Sequence, residues 1–170
     1  RKGDIAELCA LVKPDYAVFT GVCAQHIETF GSEENILKAK CEILKGTAKK
    51  IVCGEELKEK IAELQAKEAK VDDKKEAEKV DAEGKEKCVY ADYDALLSDV
   101  CPNAESTSFV LHLPDRKPIR AEVPLLGKHS AENVALAALL AAEMGLSEEE
   151  IERGIGKIQP VPHRLQLIES

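Results

Sequence analysis

Apolar residues first recur at helical spacing. Ile5, Leu8, Cys9, Leu11 and Val12 share one face and predict a helix over 4–13, stopped by Pro14 and Asp15. The run YAVFTGV, residues 16–22, is continuously apolar and rich in β-forming types, the pattern of a strand buried on both faces of a parallel sheet. A polar stretch with Gln25, His26, Glu28 and Thr29 follows. GSEENILKAKCEILKG, residues 31–46, then predicts a helix. Ser32 can cap its start, Glu33 and Glu34 suit the positive end of its dipole, and Gly46 can end it. KKIVCG, residues 49–54, reads as a second strand. Strand, helix and strand at this spacing form a βαβ unit and imply a parallel sheet covered by helices.

The pattern then changes. Leu57, Ile61 and Leu64 make a thin helical stripe, and KEAKVDDKKEAEKVDAEGKEK is almost all charge and alanine, a solvated helix passing into a mobile loop. Tyr90 to Leu97 restores some apolar content. SFVLHLPDRKPIRAEVPLL predicts a β-hairpin. Phe109, Leu111 and Leu113 alternate before the Pro114–Pro118 turn, and Ile119, Ala121, Val123 and Leu125 alternate after it. The segment GKHSAENVALAALLAAEMG is apolar nearly all round, which predicts a deeply buried helix, capped by Ser130 and ended by Gly145. Ser147 with Glu150 forms a capping box for a last helix to about Lys157, and a strand begins at HRLQLIES. The expected fold class is α/β: a mostly parallel sheet flanked by helices, with an added β-hairpin.

Three polar residues stand out against this scaffold. At ~100° per residue, the stripe of Ile36, Leu37, Ile43 and Leu44 centres on Lys40, in the middle of a face that should be buried. A snorkelling side chain is the simplest explanation. His26 follows a predicted parallel strand, at the sheet edge where open α/β folds bind ligands. A lone histidine is more often a surface or capping residue. Arg164 stands between a proline break and a strand, which suits phosphate recognition or a structural ion pair.

Bulk composition narrows the function classes. The chain has 170 residues, 44% hydrophobic, which supports a real core. A net charge of −8 argues against a general nucleic-acid binder. No apolar run approaches the ~20 residues that span a bilayer, so no membrane insertion is expected. The six cysteines include no C-x-x-C pair and read as free thiols of a reducing cytosol, so a cytoplasmic location is expected. The chain opens on RKGDIAELCALVK, without Met and already helical, and closes on RLQLIES. Both ends read as cuts, and a piece of a longer protein is expected.

KPDYAVFTGVCAQHIETFGSEENILKAKCEIL resembles the central domain of the Mur ligase family, in which a strand, a histidine loop and a helix with an A-K motif follow in that order. GKHSAENVALAALLAAEMGLSEEEIERGIGKIQPVPHRLQLIES resembles the second half of that domain, with its G-x-H-N-x-x-N-x-L-A-A pattern and a basic pair before the next domain. The likeness covers about 1–46 and 119–170 and is strongest to the members that add D-alanyl-D-alanine. It implies a P-loop NTPase-like domain, incomplete here, with residues 1–165 belonging to the ATP-binding domain and 166–170 starting the connection to a C-terminal domain. It implies an ATP- and Mg²⁺-dependent amide-bond ligase of peptidoglycan synthesis. Its substrates would be UDP-N-acetylmuramoyl-tripeptide and D-alanyl-D-alanine, joined through an acyl phosphate. Carried over by position, His26 would bind Mg²⁺ and Lys40 would be the carbamylated lysine that shares it. Asn133 would contact adenine, and Arg164 would lie near the nucleotide at the domain junction. A carbamate forms only from a neutral amine, which burial in an apolar face favours. Asn133 could instead complete a helix cap with Ser130.

The chain also departs from the family pattern. The phosphate loop G-T-x-G-K-[ST] does not occur in these residues, so ATP turnover by this chain alone is not expected. Gly21 stands where many members have Asn, and Ser130 replaces the first Asn of H-N-x-x-N. Two other readings fit the same residues: a sister ligase such as folylpolyglutamate synthase, or a non-catalytic domain that kept the fold.

Overall fold

The computed structural model describes residues 3–22, 31–71 and 88–161, without the side chains of residue 65 and of 67–71. His26 and Arg164 lie outside the described residues. The chain divides into two compact units, one ending at Tyr90 and the other starting at Ala91.

In the first unit, helix α1 (Asp4–Val12) leads into strand β1 (Tyr16–Phe19). Helices α2 (Glu33–Lys40) and α3 (Glu42–Gly46) follow, then β2 (Lys50–Gly54), helix α4 (Glu56–Val71) and β3 (Cys88–Ala91). The strands form one sheet in the order β1-β2-β3. β1 and β2 run parallel, with Phe19 opposite Cys53, so the βαβ unit read from the pattern is present. Its core joins Phe19, Leu37, Cys41, Ile51 and Cys53 to Leu57, Ile61 and Leu64 of α4. The thin stripe of α4 is therefore the face that covers the sheet.

Two local expectations are corrected. Residues 31–46 form two helices, because Cys41 interrupts the segment. Ser32 caps the first, accepting a hydrogen bond from the Asn35 amide at 3.2 Å. The apolar face expected for α1 is buried only at Cys9, while Leu8, Leu11 and Val12 are 58%, 81% and 69% exposed. The start of α1 is instead fixed electrostatically. The Glu42 carboxylate accepts from the Gly3 amide at 2.7 Å and the Ala6 amide at 3.1 Å, an acidic group at the positive helix end.

In the second unit, a single turn α5 (Tyr93–Leu96) precedes strands β4 (Leu97–Pro102), β5 (Thr107–Leu111) and β6 (Ile119–Val123). These strands form an antiparallel sheet in the order β4-β5-β6. The hairpin is the expected one, with Phe109 opposite Ala121 and Leu111 opposite Ile119. Helices α6 (Lys128–Glu143) and α7 (Glu148–Ile155) pack on this sheet. Ala131, Val134, Ala135, Leu136, Ala138 and Leu139 bury one side of α6. The α7 capping box is present: the Ser147 hydroxyl accepts from the Glu150 amide, and the Glu150 carboxylate accepts from the Ser147 amide at 2.8 Å. Strand β4 was not expected. LSDVCP lacks alternation, and the strand exists because β5 supplies its hydrogen bonds.

Candidate functional site

β1 is short because Gly21 follows two residues after its end, at φ +141°, a backbone conformation that L side chains rarely adopt. The chain thus leaves the carboxyl end of a parallel strand at the place where α/β sheets bind ligands. The turn presents the Gly21 carbonyl to Lys40, whose amino group donates a hydrogen bond to it at 2.7 Å. Lys40 is the last residue of α2, where the negative end of the helix dipole suits a cation. Its side chain is half-buried, and its head meets a backbone oxygen instead of reaching outward as a simple snorkelling residue would. The neighbouring Lys38 is different: it pairs with Glu34 at 3.1 Å on the exposed side of the helix.

A cavity of about 200 Å³ opens beside the same strand exit, lined by Val22, Leu37 and Leu64 with the charged Glu33, Lys60 and Glu63. Val22 directly follows Gly21, so cavity and Lys40 anchor share the exit of β1. Among the described residues no group of three His, Cys, Asp or Glu is placed to hold a metal ion. An amino group that donates to a carbonyl is not itself a metal ligand. The described residues therefore do not form a complete donor set for a metal ion.

The second unit holds Asn133, exposed on α6. Ser130 does not cap this helix, which corrects the expectation. Gly127, at φ +88°, precedes the first helical residue, and the Ser130 hydroxyl donates to the Leu126 carbonyl at 2.8 Å. The amide of Asn133 is thus not needed for a cap, and it offers a donor and an acceptor to solvent. The first turn of α6 carries Lys128 and His129, has no acidic residue and receives no side-chain cap. A helix start of that kind favours an anion. Lys40 and Asn133 belong to different units. Sequence reasoning treated Gly21 only as a departure from a pattern and missed its role. The available signal was a glycine near the end of the apolar run 16–22, beyond which the strand does not continue.

The family model of the Mur ligase middle domain matches residues 1–142, a span that includes Lys40 and Asn133. The UDP-N-acetylmuramoyl-tripeptide–D-alanyl-D-alanine ligase of Bacillus subtilis is 28% identical over 173 residues, covering 99% of this chain and 33% of the relative. Among solved structures, MurF from Acinetobacter baumannii superposes with a TM-score of 0.79 at 21% identity, over 100% of this chain and 35% of that one. MurF from Thermotoga maritima in complex with ADP gives a TM-score of 0.72 at 20% identity, over 99% and 36%. This chain spans about a third of the length of these relatives. With a parallel βαβ unit, a lysine anchored at its strand exit and most of the chain inside the family match, the chain belongs to the Mur ligase middle-domain family.

Proposed function

We propose that this chain is the central, nucleotide-handling part of an ATP-dependent ligase that adds D-alanyl-D-alanine to UDP-N-acetylmuramoyl-tripeptide in the cytoplasm. The observation that carries this reading is Lys40. Its amino group is held at the carboxyl edge of the parallel sheet by Gly21, in a chain aligned over 99% of its length with a D-alanyl-D-alanine ligase.

In the reaction, the tripeptide carboxylate attacks the γ-phosphate of ATP, forming an acyl phosphate and releasing ADP. The amine of D-alanyl-D-alanine then attacks the acyl carbon, an amide bond forms and inorganic phosphate leaves. The task is mostly one of positioning and charge stabilisation. Lys40, once carbamylated, and His26 are assigned to hold Mg²⁺. Bound there, the ion would neutralise charge on the transferring phosphoryl group. Asn133 is assigned to the adenine, where one amide can both donate to and accept from a heterocycle edge. Arg164 is assigned to the nucleotide phosphates, for which a guanidinium fork is well shaped.

The test is Lys40→Ala in the full-length protein, assayed for ligation of D-alanyl-D-alanine. The rate should fall about a hundredfold or more, the scale of losing a group that stabilises transition-state charge. An unchanged rate would remove Lys40 from the mechanism and this reading with it.

A further inference from the structure

We propose that Gly21 is a positioning residue for Lys40. Its carbonyl, aimed by a backbone conformation that suits glycine, holds the Lys40 amino group at the exit of β1, and an alanine at position 21 releases it. Three observations meet here. The Lys40 amino group donates to the Gly21 carbonyl at 2.7 Å across 19 residues of sequence. Gly21 sits at φ +141°. Among the described residues, a Cβ built on Gly21 meets no atom within 4 Å.

The last observation separates conformation from packing. At Gly46 the same construction collides with Cys9, so glycine there is required by close approach. At Gly21 the described residues leave room for a methyl group, and the backbone angle is what disfavours it. An alanine would relax φ towards negative values and turn the peptide plane that carries the carbonyl. The acceptor would swing off the Lys40 amino group without a steric clash among the described residues.

The bond also bears on the modified state, and this part rests on the ligase reading above. When the neutral Lys40 nitrogen adds to carbon dioxide, a new N–C bond forms and one amine proton leaves to water. The carbamate nitrogen keeps one N–H. That N–H can still donate to the Gly21 carbonyl, which turns the two carbamate oxygens away from an acceptor that would repel them. One backbone oxygen thus sets the direction of the amine before modification and of the anion after it.

The experiment uses the full-length protein and competitive acetylation of its lysines, read by mass spectrometry, with the exposed Lys13 as internal reference. In the wild type, Lys40 should label slowly relative to Lys13. In a folded Gly21→Ala variant its relative rate should rise about tenfold, the change expected on losing a hydrogen bond with a charged donor. The reciprocal variant, Lys40→Met, keeps the stem and removes the donor. Amide hydrogen exchange at Val22 should then speed up, with exchange at Val52 in the sheet unchanged. The Lys40→Met measurement stands even if Gly21→Ala does not fold. Unaltered labelling in Gly21→Ala, or unaltered exchange at Val22, overturns the positioning role. If both respond while Lys40→Ala retains full ligase activity, the positioning role stands and the ligase reading falls.

Discussion

At position 53 a thiol is fully buried where β1, β2 and α4 meet. Loss of hydration, with smaller contributions from Cys88, Glu56 and Cys41, pushes it from an ordinary 9.0 up to about 12. Because the folded value is the higher one, the folded state holds its proton more tightly than the unfolded chain. The resulting stability is complete below about pH 9 and is lost as pH rises towards about 12. Chemical denaturation across that window should show a falling stability whose slope is reduced in Cys53→Ala. In the same protein at neutral pH, a maleimide should label the exposed Cys101 and leave Cys53 untouched. At this scale the sequence was partly legible. Lys40 stood out because helical period placed a charge in an apolar stripe. Its partner did not, because a backbone carbonyl has no signature of its own and only the glycine that aims it is visible. His26 and Arg164 were legible as residue types alone, and both lie outside the described residues.

Among the elements, those with local determinants were read best. The start of α7 is set by Ser147 and Glu150, three residues apart, and both hydrogen bonds of the box are present. Ser147→Ala should lower the stability of the second unit by about 1 kcal/mol, measured by thermal or denaturant unfolding. A loss below about 0.3 kcal/mol would show that the box is redundant with packing of Ile151 and Ile155. The start of α6 was misread for an equally local reason. A serine hydroxyl can cap forward or bond back four residues, and Ser130 bonds back to Leu126. Gly127, with its positive φ, marks the start three residues earlier. β4 escaped notice because its burial comes from its neighbours: only Leu97 of its six residues is buried. Such a strand is specified by pairing with β5, which no local pattern records.

For the whole molecule, the α/β class followed from runs and periods that each strand and helix carries on its own. The division at Tyr90 and Ala91 did not, since it depends on which distant segments pack together. That division puts Lys40 and Asn133 in separate units. The bare face of α1 carries a practical consequence for the 170-residue chain. Leu8, Leu11 and Val12, spaced three and four apart, form a strip of oil on an otherwise acidic particle. The chain's colloidal behaviour should be governed by that strip more than by its net charge. Light scattering should show attraction between particles that weakens on Leu11→Glu with no loss of helicity. Fluorescence of a hydrophobic dye should fall in step, and a dye signal unchanged by the substitution would place the sticky surface elsewhere.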